Sequence, residues 1–159
     1  MPTTLDPAAD ALPDLLPDLH CACANLRRAA RLVTQLYSQE MGELEPAQFA
    51  LLSAIGSLPG SGQAPLARAL GLDKTTLSRN LGLMERKGWL ASAQTGDARE
   101  RGYRLTRTGK RLLAATKPGW ARAQARLRAA MQPEEWETAM RTINRAAEAA
   151  CSAREKPTG

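Results

Sequence analysis

Two short helices joined by a tight turn are predicted for Pro65-Leu66-Ala67-Arg68-Ala69-Leu70-Gly71-Leu72-Asp73-Lys74-Thr75-Thr76-Leu77-Ser78-Arg79. Gly71 can adopt the positive φ at which the first helix ends, and Asp73 suits the N-cap of the second helix. In the second helix apolar residues recur at i, i+4 and i+7, which predicts a buried face made of Leu77, Leu81 and Met84.

The opposite face of the second helix carries cations, hydroxyl side chains and a glycine. Such a face suits the major groove of DNA, because cations and hydroxyls contact phosphates and base edges. Gly82 would allow a close approach of the helix backbone. An ordinary solvent-exposed helix face is the alternative interpretation. The candidate DNA contacts on this helix are Lys74, Thr75, Thr76, Ser78, Arg79 and Arg86.

A basic hairpin is predicted after this helix. Trp89-Leu90-Ala91 begins an extended segment, Gln94-Thr95-Gly96-Asp97 has turn composition, and Tyr103-Arg104-Leu105 returns as a strand. The hairpin carries Arg99 and Arg101, and a thin cationic tip fits the narrow minor groove, where the negative potential attracts arginine. Asp97 precedes Arg99 by two residues and is expected to position its guanidinium group.

Length and charge indicate a one-domain protein with a polyanionic partner. The chain has 159 residues and a net charge of +6. Residues 1–20 contain four aspartates and no lysine or arginine, so the positive surplus lies in the rest of the chain. No apolar run approaches the roughly 20 residues of a membrane span. Acidic residues stand where a secretory signal would carry cations, and we expect a cytoplasmic protein that does not bind a membrane.

Enzyme chemistry is not expected from this composition. The chain has no glycine-rich phosphate loop and no set of metal ligands, and its single histidine is His20. Three cysteines, an odd number, do not form a disulfide framework. The sequence therefore predicts no catalytic residues, no metal and no cofactor.

Amphipathic helices are predicted on both sides of the helix–turn–helix. They cover residues 18–40, residues 107 to about 131 with Thr106 as N-cap, and a last helix that restarts at Pro133, while residues 47–57 behind Pro46 are predicted to form a largely buried helix. Pro118 is expected to kink the helix that follows Thr106. A single subunit would leave their apolar stripes exposed, so we expect a two-fold homodimer that reads a pseudo-palindromic site. An intramolecular helical bundle is the alternative.

This arrangement resembles the winged helix-turn-helix of the MarR family of bacterial transcription regulators. The matching residues are Leu66-Ala67, Leu70-Gly71-Leu72, Leu77-Ser78-Arg79, Leu83-Met84-Glu85-Arg86-Lys87-Gly88 and the wing signature Asp97-x-Arg99 with Leu105-Thr106-x-x-Gly109. In that family the residue matching Arg99 enters the minor groove, and the helix matching residues 74–87 lies in the major groove. The resemblance extends over roughly residues 20–150.

The resemblance implies a mainly α fold with a small β-hairpin wing. Residues 46–105 would form the winged helix-turn-helix lobe that binds double-stranded DNA, and residues 18–45 and 106–153 the dimerisation helices. Residues 1–17 would be an irregular acidic arm, and residues 154–159 a frayed tail. The function so implied is that of a regulator, expected to be a repressor, which an effector releases from its promoter.

The cysteines allow three interpretations: a metal site, a redox sensor, or apolar filler. Side chains at i and i+2 point about 200° apart on a helix, which argues against a metal shared by Cys21 and Cys23. Cys23 and Tyr37 share one stripe but lie about 21 Å apart along the helix, so they could meet only across a dimer. Cys151 could then resolve an oxidised Cys23.

The segment from Cys23 to Tyr37 is similar to the organic-hydroperoxide-sensing branch of the MarR family. There a cysteine matching Cys23 is oxidised, and a tyrosine matching Tyr37 hydrogen-bonds it from the partner subunit. Arg27 and Pro46 stand where that branch has further tyrosines. The alternative effector is a small aromatic or phenolic ligand bound near Tyr37, with the cysteines structural. A winged helix that binds another protein rather than DNA is the second alternative.

Overall fold

The computed structural model describes residues 21–94 and 101–155. In these ranges it contains six helices and one antiparallel pair of strands, which confirms the predicted fold class. The elements are α1 Ala22–Met41, α2 Pro46–Ser57, α3 Gln63–Leu70, α4 Lys74–Arg86, β1 Leu90–Gln94, β2 Arg101–Leu105, α5 Arg107–Ala129 and α6 Pro133–Glu155. The chain divides into two compact units, one ending at Leu36 and the other beginning at Tyr37.

The start of α1 differs from the prediction. The helix begins at Ala22, because Cys21 lies outside it and its carbonyl oxygen accepts the first turn's hydrogen bond from Asn25 N–H at 3.1 Å. A continuous helix from residue 18 is therefore wrong, and residues 18–20 lie outside the described part of the chain. The predicted N-terminal arm, residues 1–17, also falls outside it.

The other helix ends follow their local signals. Pro46 occupies the first position of α2, behind the capping box formed by Glu45 and Gln48. Thr106 caps α5 as predicted, by accepting a hydrogen bond from Gly109 N–H at 3.1 Å. The helix continues through Pro118 to Ala129, so this proline does not end it.

The core joins α2, α3, α4 and the hairpin. The predicted buried face of α4 is confirmed, since Leu77, Leu81 and Met84 are at most 1% exposed. The remaining buried members of this cluster are Leu44, Leu51, Leu52, Ile55, Leu66, Leu90 and Tyr103. Most residues of this cluster are leucines, and its helical members come from α2, α3 and α4. Their contacts hold the helix–turn–helix together as one body.

The wing is a two-stranded antiparallel hairpin with one further backbone partner. Leu90 pairs with Leu105 at its base, and Gln94 pairs with Arg101 towards its tip. Tyr103 also bridges to Ser61: Tyr103 N–H donates to the Ser61 carbonyl oxygen at 3.1 Å, and Gly60 N–H donates to the Tyr103 carbonyl oxygen at 2.8 Å. No sequence pattern described above indicated this third partner.

None of the helices in the two described ranges is long and apolar enough to cross a membrane.

Candidate nucleic-acid interface

The turn between α3 and α4 has the conformation that its glycine permits. Gly71 takes φ 63°, the left-handed region, directly after α3. Leu72 N–H donates to the Ala67 carbonyl oxygen at 3.0 Å, which closes the last turn of α3. A residue with a Cβ would be strained at this φ, so Gly71 determines the direction in which α4 leaves the turn.

Asp73 caps α4 through two hydrogen bonds with one residue. Its Oδ1 accepts from Thr76 N–H at 2.8 Å, and its Oδ2 accepts from the Thr76 hydroxyl at 2.6 Å. The Thr76 hydroxyl and then the Thr76 N–H lower the pKa of the Asp73 carboxyl from its ordinary value of 3.8. Asp73 is therefore ionised at neutral pH. Each of its two carboxylate oxygens accepts one hydrogen bond from Thr76 in the first turn of α4.

The face of α4 opposite the core is open to solvent. Lys74, Thr75, Thr76, Ser78, Arg79 and Arg86 are all exposed. Among the described residues the ion pairs are those of Glu40 with Arg122 and Arg126, and none of them involves a cation of α4. A Cβ on Gly82 would meet only the flexible end of Arg86, at 3.4 Å. Packing within the chain therefore does not require glycine at position 82.

The wing is anchored to both neighbouring helices by Thr106. Its hydroxyl donates to the Gly88 carbonyl oxygen at 2.7 Å and to the Trp89 carbonyl oxygen at 3.1 Å, and Thr106 N–H donates to the Trp89 carbonyl oxygen at 3.0 Å. A Cβ on Gly109 would overlap the same Trp89 carbonyl oxygen. These contacts give the Leu105-Thr106-x-x-Gly109 motif its physical reason: it joins the end of α4 to the start of α5.

The tip of the wing is described only in part. Arg101, the first residue of β2, is exposed. Asp97 and Arg99 lie outside the described residues, and their roles stay predictions from the sequence. At the base, Lys87 Nζ lies 4.5 Å from the centroid of the Trp89 ring, a cation–π contact that covers one face of the indole.

A second group of contacts joins the end of α1 to α5. Glu40 accepts from Arg122 Nε at 3.0 Å and from Arg126 Nη1 at 2.7 Å. The two arginines lower the pKa of the Glu40 carboxyl from its ordinary value of 4.5. At Gly119 a Cβ would overlap the Glu40 carbonyl oxygen, so the two helices touch backbone to backbone. Sequence reasoning missed this group, since its residues are about eighty positions apart.

Aromatic side chains lie beside this contact. The Tyr37 hydroxyl donates a hydrogen bond to Gln124 Oε1, and burial raises the pKa of the Tyr37 phenol. Phe49 of α2 stacks on Trp120 of α5, with ring centroids 5.9 Å apart and ring planes at 20°. Tyr37 was predicted as a redox or effector residue, and its donor is engaged here within its own subunit.

The three cysteines differ in their exposure. Cys21 is half-buried, and Cys23 and Cys151 are exposed thiols. Cys23 belongs to the unit that ends at Leu36, and Cys151 to the unit that begins at Tyr37. Within the described ranges no group of three His, Cys, Asp or Glu side chains could hold a metal ion.

Comparison with known proteins decides the family. Residues 43–100 match the model described as the MarR family. The transcriptional regulator HosA from Escherichia coli is 33% identical over 94 residues, which are 58% of this chain and 70% of HosA. The chain belongs to the MarR family. The resemblance inferred from the helix–turn–helix and wing motifs is thereby confirmed.

Two solved transcription regulators match most of this chain. The regulator MosR from M. tuberculosis, solved in complex with DNA, is 35% identical with a TM-score of 0.77, over 84% of this chain and 98% of MosR. PcaV from Streptomyces coelicolor, solved with its natural ligand, is 26% identical with a TM-score of 0.76, over 82% of this chain and 94% of PcaV.

Membership in the MarR family establishes the class of activity. This is a family of DNA-binding transcription regulators and not of enzymes. The expectation of a DNA-binding regulator and the expectation that the chain is not an enzyme are therefore both confirmed. The individual contact residues remain predictions.

Proposed function

We propose that the chain is a homodimeric repressor that reads a pseudo-palindromic promoter site with α4 and the wing. The exposed cationic face of α4 carries this proposal, because its opposite face is buried and its N-terminus is capped. A helix held in this way presents a rigid surface to the major groove. MosR, a similar regulator that was solved in complex with DNA, supports DNA binding by this chain.

Each candidate residue has a role suited to its chemistry. Lys74, Arg79 and Arg86 would neutralise phosphates, while Thr75, Thr76 and Ser78 near the start of α4 reach towards base edges. Arg99, with Arg101 beside it, would enter the minor groove, and Asp97 would position Arg99. Alanine at position 99 is expected to weaken binding to every sequence, because the wing contact depends on groove shape and not on base edges.

Dimerisation is supported by the apolar side chains that the subunit leaves exposed. Ile143 of α6 is 47% exposed, and Leu26 and Leu32 of α1 are 46% and 52% exposed. Of the residues described in α6, Trp136 alone is buried. Burying these stripes against a second copy offsets the cost of exposing them. The helices in residues 18–45 and 106–153 would thus pair the subunits, with residues 46–105 reading DNA.

Release from DNA is proposed to follow oxidation at Cys23. The thiol is exposed, and an oxidised sulfur would compete with Gln124 for the Tyr37 hydroxyl of the partner subunit. Cys151 would then supply the resolving thiol. The competing trigger is a small aromatic or phenolic ligand bound near Tyr37, Phe49 and Trp120, and the natural ligand in the PcaV complex favours this candidate by similarity.

Fluorescence anisotropy with labelled DNA from upstream of the gene tests the proposal. Reduced protein is expected to bind, and an organic hydroperoxide is expected to release the parent and Cys21→Ser but not Cys23→Ser. If the hydroperoxide released Cys23→Ser as well as the parent, the redox trigger would be contradicted. A phenolic ligand would then be titrated into the complex. Absence of DNA binding at low salt would overturn the regulator proposal itself.

Salt dependence separates DNA reading from protein contact. Neutralising several phosphates makes the affinity fall steeply with salt concentration, with a slope of about −0.9 per phosphate contact. A winged helix that binds another protein through apolar contacts would show little dependence. A flat salt profile would therefore favour the protein-interaction alternative.

A further inference from the structure

The hydrogen bond between Thr76 and Asp73 determines the chemistry of an exposed hydroxyl. Oδ2 of Asp73 lies 2.6 Å from Thr76 Oγ1, and Oδ1 lies 2.8 Å from Thr76 N. An ionised carboxylate only accepts hydrogen bonds, so the Thr76 hydroxyl must donate its single proton to it. The oxygen of Thr76 then faces solvent with lone pairs alone.

A hydroxyl without a free proton can hydrogen-bond only to a donor. Phosphate oxygens are acceptors, and so are O6 and N7 of guanine and O4 of thymine. The donors in the major groove are the N6 amine of adenine and the N4 amine of cytosine. The Thr76 hydroxyl therefore has no proton to donate to a phosphate, a guanine or a thymine, although it lies beside residues suited to phosphate contact.

We propose that Asp73 makes Thr76 an acceptor-only reader that selects an adenine or a cytosine at one position of each half-site. This inference rests on the proposed function, in which the exposed face of α4 lies in the major groove. Asp73 is a positioning residue here, since it acts through Thr76. Helix capping by Asp73 and base selection by Thr76 are thus carried by one pair of hydrogen bonds.

Asparagine at position 73 offers a variant that reverses the polarity while keeping the cap. Thr76 N–H still requires an acceptor, so the amide oxygen would occupy the place of Oδ1. The amide nitrogen would then face Thr76 Oγ1 and donate to it, which frees the hydroxyl proton to point outward. Because asparagine is as good an N-cap as aspartate, α4 is expected to keep its start, but Thr76 would become a donor suited to thymine or guanine.

The test begins with duplexes that the parent dimer selects from a random-sequence pool. Each adenine or cytosine of the selected site is replaced, one at a time, by an analogue without the exocyclic amine, and the Kd is measured. At one position per half-site the parent is expected to lose about two- to tenfold in affinity, the effect of one hydrogen bond. Thr76→Val, which keeps the shape without the hydroxyl, is expected to show no such loss there, and Thr76→Ser to retain it.

The base selected by Asp73→Asn distinguishes a role of Asp73 in base selection from a role in helix capping alone. Its selected site is expected to change from adenine or cytosine to thymine or guanine at that position alone. The inference would be overturned if the parent and Thr76→Val lost the same affinity for the amine-free analogue at every position. It would also be overturned if Asp73→Asn selected the same site as the parent. In both cases sequence-specific binding would still support the proposed function. A parent that selects no sequence at all would overturn the proposed function and this inference together.

Discussion

The hydroxyl of Thr106 donates a hydrogen bond to the carbonyl oxygen of Gly88, eighteen residues earlier in the chain and 2.7 Å away. The same hydroxyl oxygen accepts from Gly109 N–H at 3.1 Å. One side chain thus joins the segment just after α4 to the first turn of α5. The base of the wing is held by this junction and not only by strand pairing.

Thr106→Val is expected to destabilise the fold, because it keeps the β-branched shape but removes every hydrogen bond of the hydroxyl group. Loss of an N-cap hydroxyl costs about 0.5–2 kcal/mol, and the Gly88 carbonyl oxygen also loses a donor. Urea denaturation measures the free energy of unfolding. Thr106→Ser is the matched control, since it restores the hydroxyl, and a serine variant as unstable as the valine variant would contradict the assignment.

Gly82→Ala and Gly109→Ala are expected to have opposite effects on stability. Alanine within a helix is favoured over glycine by roughly 0.5–1 kcal/mol, and position 82 has space for a Cβ. At position 109 a Cβ would overlap the Trp89 carbonyl oxygen, so the wing base would have to move. Thermal unfolding compares the two variants.

DNA affinity gives Gly82→Ala a second readout. If the backbone of α4 approaches DNA at this position, the added methyl group is expected to weaken binding while stability rises. A more stable variant with parental affinity would show that DNA does not approach Gly82 closely.

Arg79→Ala is expected to flatten the salt dependence of DNA binding. Each phosphate contact contributes a slope of about −0.9 to the plot of log K against log salt. Removing one contact would reduce the steepness by about that amount. Arg128→Ala makes the same change in net charge in the last turn of α5. An equal change in slope for both variants would point to overall charge and not to a contact by Arg79.

Glu40→Gln is expected to reduce the loss of stability in acid. The pKa of Glu40 is lowered by Arg122 and Arg126, so its contribution is present above the ordinary pKa and is lost as the pH falls through the lowered folded value. The unfolding free energy of Glu40→Gln should therefore fall less steeply below about pH 5 than that of the parent. Glu137→Gln, at an exposed position of α6, is the control and should follow the parent.

Ile143→Lys is expected to shift the protein towards monomers. A lysine on the exposed apolar stripe of α6 would have to be desolvated in the proposed dimer interface. Sedimentation velocity measures the oligomeric state. Leu58→Lys makes the same kind of change at an apolar residue of similar exposure, 54% against 47%, in the loop before α3. Dissociation by both variants, or by neither, would contradict the assignment of α6 to the interface.

Local signals explain why the helix–turn–helix and the start of α5 could be predicted from the sequence. Gly71, Asp73 and Thr106 each act within a few residues of themselves, through a positive φ or a side-chain cap. The apolar spacing of α4 then determines which face is buried. These signals do not depend on the rest of the fold, and the structure confirms each of them.

Contacts between distant residues could not be predicted in this way. The bridge from Ser61 to Tyr103 and the pairing of Glu40 with Arg122 join segments with no shared periodicity. The hydrogen bond from Tyr37 to Gln124 has the same character. For the wing tip, Asp97 and Arg99 rest on the motif alone, and the proposed role of Cys23 rests on similarity to a branch of the family.

Two glycines of α5 bring that helix into backbone contact with two other parts of the chain. Gly109 lies against the Trp89 carbonyl oxygen at the wing, and Gly119 against the Glu40 carbonyl oxygen at the end of α1. They are ten residues apart, about 15 Å along one uninterrupted helix. Because both contacts are backbone to backbone, no side chain can yield at either of them. We therefore expect a displacement of the Glu40 carbonyl group to be transmitted along α5 to the base of the wing.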